Sequence, residues 1–205
     1  MENNIEKIIK KIKKLYKGFH PYSLESNDPY MLEKNQNNKD LVPTYGEILP
    51  NGVSKIISNL NINGNDVFVD LGCGNGKVVL QFYLQTKIKS SLGIEFSTTR
   101  INQAIKVKNK IKIKPNKKIN FIRGNFLNQN INLSQGTIFY SASTCFSDDT
   151  MIKLWKRIIQ NKNLNAIIVL KDFPNFCDFS RVKKTKELNV GCSWAVSQAK
   201  IYYFK

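Results

Sequence analysis

Val67-Phe68-Val69-Asp70-Leu71-Gly72-Cys73-Gly74-Asn75-Gly76-Lys77-Val78-Val79-Leu80-Gln81 is the stretch that decides the fold. Val67-Phe68-Val69 reads as a buried strand, and residues 78–85 read as a helix that follows the glycines. Between them, glycines at alternate positions let the backbone approach a ligand closely and leave amide donors at a helix N-terminus. A dinucleotide fingerprint would be G-x-G-x-x-G, with room for a pyrophosphate. Here Gly72, Gly74 and Gly76 form G-x-G-x-G led by an acidic residue. Asp70 in that leading place suits the amino-acid end of S-adenosylmethionine.

Downstream, a second strand over 91–95 ends on Glu95, at the switch point of an open parallel sheet. A carboxylate there is placed to accept hydrogen bonds from both hydroxyls of a ribose. Glycines alone would be equally consistent with a plain turn, and the pairing of Asp70 with Glu95 is what argues for a ligand. A third strand over 119–123 is followed by Gly124-Asn125-Phe126. Asn125 would meet the exocyclic amine of an adenine and Phe126 would cover a ring face. The alternative is a Gly-Asn turn with Phe126 in the core.

Around this nucleus, helix and strand alternate: a helix over 48–60, a Lys-rich helix over 97–113, a strand over 137–140, a helix over 148–159 and a strand over 166–170. Such alternation calls for a parallel sheet with right-handed crossovers. The C-terminal part breaks the pattern, because residues 184–190 and 199–204 are strand-like with Gly191 and Ser193 between them and no helix. The expectation is an α/β, Rossmann-like, seven-stranded sheet closed by an antiparallel C-terminal hairpin.

The 205 residues, 41% of them hydrophobic, are enough to bury one core and leave no room for a second large domain. Three parts are expected: a basic amphipathic helix over 1–19, a loop or lid over 20–47 and the main domain over 48–205. In the first, Ile5, Ile8, Ile9, Ile12, Leu15 and Tyr16 recur at helical spacing while Lys7, Lys10, Lys11, Lys13, Lys14 and Lys17 fill other positions. That helix either packs its apolar stripe on the domain or serves as an arm for nucleic acid or a membrane surface. Pro21, Pro29, Pro43 and a polar run over 33–40 make the second part read as a loop that cannot bury itself.

No apolar run approaches the roughly 20 residues of a membrane span, and the N-terminus lacks the compact apolar block of a secretory signal. A soluble, intracellular protein is expected, in nucleus or cytoplasm. Cys73, Cys145, Cys177 and Cys192 form no C-x-x-C pair and His20 is the lone histidine, so neither a zinc site nor a disulfide framework is indicated. The 32 Lys and Arg against 15 Asp and Glu give a net charge of +17. A field of that sign favours polyanions or acidic protein surfaces. The abundance of Asn, Ile and Lys is also what a biased source composition would produce.

Thr44-Tyr45-Gly46-Glu47, the run from Val67 to Gln81, Gly93-Ile94-Glu95, Gly124-Asn125-Phe126-Leu127 and Cys192-Ser193-Trp194 ahead of Ile201-Tyr202-Tyr203 occur in that order. The set resembles the non-SET histone lysine methyltransferases of the disruptor-of-telomeric-silencing (Dot-one) family. The resemblance implies S-adenosylmethionine as cofactor and a histone or other basic chromatin protein as partner. It implies that the Tyr-Gly-Glu loop covers the cofactor's methionine end and that a lysine enters a narrow channel. Its candidate cofactor-binding residues are Tyr45, Glu47, Asp70, Gly72, Gly74, Lys77, Glu95, Asn125 and Phe126. Trp194 and Tyr202 would wall the lysine channel. The family tends to have Gln at Lys77, Asp at Asn125, and two asparagines and a phenylalanine where this chain has Ser141-Ala142-Ser143. Docking on a nucleosome would fall to the Lys-rich helices.

The implied chemistry is in-line methyl transfer to a neutral amine, which needs alignment and desolvation more than covalent catalysis, and no metal. A lysine has a reference pKa of about 10.4, so an apolar channel would favour the neutral amine it must become. Ser141 or Ser143 would orient that amine by hydrogen bonding; the favoured alternative for either is a turn residue capping the next helix. With Trp194 and Tyr202 they complete the candidate catalytic set. Two other functions fit the same domain: a nucleic-acid methyltransferase and a binding module without catalysis. Against the first, no Asn-Pro-Pro-Tyr tetrapeptide and no Pro-Cys nucleophile is present.

Overall fold

A computed structural model describes residues 2–33 and 44–205. Its strands are β1 (Val67–Leu71), β2 (Ser90–Glu95), β3 (Lys118–Arg123), β4 (Ile138–Ser141), β5 (Ala166–Val169), β6 (Lys184–Gly191) and β7 (Val196–Tyr203). They form one seven-stranded sheet in the order β3-β2-β1-β4-β5-β7-β6. β1 to β5 are mutually parallel, and β7 lies antiparallel to both β5 and β6. The expected α/β sheet with its closing hairpin is therefore present.

Burial explains this division. Every residue of β4 and β5 is buried, as a parallel strand covered by helices on both faces requires. β6 instead exposes most of its residues, the mark of an edge strand half in water. The helices are α1 (Glu2–Leu15), α2 (Pro29–Glu33), α3 (Pro50–Ser58), α4 (Lys77–Gln85), α5 (Thr98–Lys108) and α6 (Asp148–Ile158). Phe68 and Tyr140 share one apolar cluster with residues of α1, α3, α4 and α5; Val69, Leu71 and Phe139 share the other with Met151, Leu154 and Trp155 of α6. Successive strand residues thus face opposite layers. Phe68 stacks on Phe82 at a centroid distance of 3.6 Å, each fully buried and each contributing about 1.5–3 kcal/mol by leaving water.

Boundaries differ from the sequence reading for identifiable reasons. α3 starts at Pro50, whose fixed φ suits the first helical position. α5 starts after Ser97, whose hydroxyl accepts the Arg100 amide at 3.1 Å, and it ends at Lys108, short of the expected residue 113. Ser147 caps α6 in the same way, with Asp148 and Asp149 in its first turn.

α1 packs on α3 and α4 through buried Ile12 and Tyr16, while Lys7, Lys10, Lys11, Lys13, Lys14 and Lys17 are exposed. Beyond it, residues 20–33 are mostly exposed but are anchored through the buried Pro21 and Asp28, and Pro29–Glu33 form α2. Asp28 is fully buried and accepts the Ser97 hydroxyl at 2.6 Å and the Thr99 amide at 2.9 Å, so it sits on the N-terminus of α5. Burial works against its charge, but these hydrogen bonds win and hold its carboxyl below the usual range. Of the rest of the expected lid, residues 34–43 lie outside the described residues and residues 44–47 are described. No described helix is long and apolar enough to cross a membrane.

Candidate active site

β1 delivers Asp70 to the C-terminal edge of the sheet, and the chain then turns through Gly72 (φ +85°) and Gly74 (φ +54°) into α4. The Gly72 and Cys73 amides both donate to the Ile94 carbonyl at 2.9 Å, which ties the turn to β2. The Gly74 amide donates to Glu95 Oε2 at 2.9 Å, and the Ser97 amide to Oε1 at 2.8 Å. A Cβ on Gly74 would lie 2.4 Å from a ring carbon of Tyr45, so only glycine fits.

Glu95 and Asp70 are both buried. Burial pushes the Glu95 carboxyl up, with its amide partners and Arg100 pulling the other way. Asp70 lies well above the usual carboxylate range, first from burial and then from the charge of Glu95. Its Oδ1 has no hydrogen-bond partner among the described residues, and neither has the hydroxyl of buried Tyr140.

Tyr45-Gly46-Glu47 crosses over the glycine turn. The Tyr45 hydroxyl donates to Glu47 Oε1 at 2.7 Å and lies 3.1 Å from Asn75 Oδ1. The Lys77 ammonium sits 2.6 Å from both Glu47 oxygens. The Arg100 guanidinium stands 4.7 Å from the Tyr45 ring centroid and 5.6 Å from that of Tyr30. The backbone of this strip is sewn to the β6–β7 turn: the Glu47 amide donates to Ser193 Oγ and the Ser193 amide to the Glu47 carbonyl. Trp194, 45% exposed, packs so closely on Gly46 that a Cβ there would be 2.3 Å from its ring.

The cleft so enclosed has a volume of about 290 Å³. Its opposite wall is Ala142, Thr144, Cys145 and Phe146 after β4, with Asn125 and Phe126 after β3. The Phe126 and Phe146 rings are 5.5 Å apart. Asn125 Oδ1 accepts the Leu127 amide at 2.8 Å, which leaves it one further lone pair.

All nine residues expected at a cofactor, Tyr45, Glu47, Asp70, Gly72, Gly74, Lys77, Glu95, Asn125 and Phe126, line this one cleft, and so does Trp194. Three expected catalytic residues do not. The Ser141 hydroxyl is buried and donates to the Leu71 carbonyl at 2.8 Å; Ser143 Oγ is buried and accepts the Lys171 amide at 3.1 Å. Both are fastening residues, and the side chains between and beyond them face the cleft. Tyr202 is a register partner of Ile167, which turns it to the α6 side, where it stacks on Phe179 and meets Trp155 and Phe173. The sequence reading in turn missed Tyr30, Asn75, Phe96, Arg100, Tyr140 and Phe146, all in the lining. Only Asn75 carried a local signal, since it stands inside the glycine turn.

The family model "Histone methylation protein DOT1" matches residues 26–204. The chain is 29% identical over 209 residues to the Caenorhabditis elegans "Histone-lysine N-methyltransferase, H3 lysine-79 specific", a match that covers 91% of this chain and 22% of that protein. It is 44% identical over 59 residues to the Emericella nidulans protein of the same description, covering 29% of this chain and 11% of that one. The chain thus spans about a fifth of the length of the first relative and less of the second. Among solved structures, the methyltransferase domain of bacterial CtHen1-CN is similar with a TM-score of 0.56 at 13% identity, over 74% of this chain and 96% of that one. M. capricolum TrmK in complex with S-adenosyl-homocysteine is similar with a TM-score of 0.53 at 14% identity, over 76% and 67%. At such identity these two speak for the fold alone, that of the class I methyltransferases. Kinship rests on the match along most of the sequence: the chain belongs to the DOT1 histone methylation family.

Proposed function

We propose that this chain is an S-adenosylmethionine-dependent protein-lysine N-methyltransferase acting on a histone. The observation that carries this reading is a buried Asp70 whose Oδ1 lacks a partner, set in one cleft with the glycine turn and Glu95. An unpaired buried acceptor is costly, so it calls for a donor from a ligand. The cofactor's amino-acid end supplies an ammonium for Asp70 and a carboxylate for Lys77. Glu95 takes the ribose hydroxyls. Phe126 and Phe146, whose rings touch, form an apolar wall for the adenine, and the free lone pair of Asn125 accepts its exocyclic amine. Gly72 and Gly74 let the backbone come close, and Tyr45 with Glu47 covers the methionine end.

When bound, S-adenosylmethionine supplies a methyl group on a sulfonium. The chain's own task is then to hold an acceptor amine in line with it and to keep water out. Trp194 forms one side of the acceptor's entry, and Ala142, Thr144 and Cys145 form the other. An uncharged wall favours a lysine that has shed its proton. The C. elegans relative is described as specific for lysine-79 of H3, so that lysine is the first acceptor to try.

The segment after α1 meets α5 and the residues after it: the Lys110 ammonium stands 5.0 Å from the Phe19 ring and Gln103 reaches the His20 carbonyl, with Lys106 and Lys110 exposed on that side and the lysines of α1 exposed ahead of it. This shared surface suits the phosphate backbone of nucleosomal DNA. A histone acceptor puts the chain inside the cell, in the nucleus or, before chromatin assembly, the cytoplasm.

A radiolabelled methyl-transfer assay against core histones, intact nucleosomes, total basic protein and RNA tests the proposal. Label on a histone lysine supports it. Label on nucleic acid alone overturns the acceptor, and no labelling together with no cofactor binding leaves a non-catalytic module.

A further inference from the structure

Asp70 in β1 and Tyr140 in β4 are register partners in a parallel pair, so their side chains leave the same face of the sheet. Both line the cleft. Tyr140 is 2% exposed and Asp70 1%. Among the described residues neither the Tyr140 hydroxyl nor Asp70 Oδ1 has a hydrogen-bond partner.

Other tyrosines show how unusual this is. Tyr16 donates to the Asn75 carbonyl, Tyr45 to Glu47 and Tyr203 to the Asn59 carbonyl, while Tyr83 accepts the Lys114 amide. Ser141, the neighbour of Tyr140, spends its hydroxyl on Leu71. Buried hydroxyls are paired as a rule, because an unpaired one loses its water and gains nothing. An apolar residue would fill the same space without that loss.

We propose that Tyr140 is a further cofactor-binding residue, whose hydroxyl oxygen and Asp70 Oδ1 together receive the ammonium of the cofactor's amino-acid end. An ammonium carries three N–H donors, so it satisfies both orphaned acceptors at once. Burial, and then the charge of Asp70, push the Tyr140 phenol well up. The phenol therefore keeps its proton and offers neutral lone pairs to the cation. This rests on the reading of the cleft as an S-adenosylmethionine site.

Tyr140→Phe removes the hydroxyl and little else, and a thermal melt with two calorimetric titrations tests it. Melting of the unliganded chain should hold or rise, since an unpaired buried group is lost. Calorimetric affinity for S-adenosylhomocysteine should fall about tenfold, the worth of a hydrogen bond to a charged group. Affinity for 5′-methylthioadenosine, which has the nucleoside and thioether but no amino-acid end, should not change. A merely structural tyrosine would lower the melting temperature and weaken both ligands alike, which overturns the inference. Unchanged S-adenosylhomocysteine affinity overturns it too. If the unaltered chain binds neither ligand, the cofactor reading itself has failed and takes this inference with it.

Discussion

The Tyr16 hydroxyl, just beyond α1, donates to the carbonyl of Asn75 in the glycine turn at 3.0 Å. Its ring also lies 5.3 Å from the Lys77 ammonium. Burial is the main reason that its phenol is pushed well up, with Cys73 and Glu47 adding to it, so it stays a donor. The N-terminal helix is thereby bonded to the candidate cofactor loop. Tyr16→Phe strands the Asn75 carbonyl and should cost about 1 kcal/mol. In a chain of this size that lowers the melting temperature by roughly 2–4 °C. Calorimetry should also show S-adenosylhomocysteine binding weakened a few-fold; an unaltered affinity would make the bond a fastening of α1 and nothing more.

Glu95 holds the turn from below. Its two oxygens each accept a backbone amide, from Gly74 and Ser97, and each retains a lone pair for a ribose hydroxyl. Glu95→Ala should weaken S-adenosylhomocysteine binding by at least about tenfold. Glu95→Gln, which keeps one acceptor oxygen, should fall between the two. Near-wild-type affinity of the alanine variant would remove Glu95 from the ribose.

Asp70 gives a prediction whose two halves run in opposite directions. Its folded pKa is raised, by burial and then by Glu95. A carboxyl raised in the fold contributes stability that is fully present below its unfolded pKa of about 3.9 and is lost as pH rises through the folded value. The unliganded chain should therefore lose stability from Asp70 as pH rises above about 4. Asp70→Asn removes the titration, so at neutral pH its unliganded form should melt higher and lose this part of the pH dependence. The same variant should lose S-adenosylhomocysteine binding, because an amide does not offset an ammonium. Thermal melts across pH, with and without ligand, read both halves, and a lower melting point of unliganded Asp70→Asn at neutral pH would contradict the assigned burial cost.

The glycine turn was legible because its constraint is local: positive φ and close backbone approach demand glycine whatever lies elsewhere. Glu95 was legible because a strand end fixes where its side chain emerges. The orientation of Ser141 was not, since β4 is buried throughout and carries no polar alternation from which to assign faces, and Ser143 lies in the 3-10 turn beyond it, where no strand period applies. Tyr202 and Tyr203 differ by one residue and therefore by one face. Pairing with Ile167 sends Tyr202 to the α6 layer, while Tyr203 reaches Asn59 on the other side. Nothing within its own helix marks Arg100 as a site residue. Its burial depends on Tyr30, Tyr45 and the Pro21 carbonyl, contacts that span up to 79 residues.

The lysine face of α1 is the remaining feature with a measurable consequence. Lys7, Lys10, Lys11, Lys13, Lys14 and Lys17 are exposed, and the helix is held by the buried Ile12 and Tyr16. Changing these six lysines to Gln keeps helix propensity near that of Lys and leaves the packed stripe untouched. If the face neutralises phosphates, each lost contact should reduce the slope of log affinity against log salt by about 0.9 for duplex DNA. Fluorescence anisotropy with a labelled duplex from low to moderate salt should then show weaker binding and a shallower slope, while S-adenosylhomocysteine affinity stays as it was. Equal binding by both forms across that range would mean that the lysines serve only to keep the outer face of α1 in water.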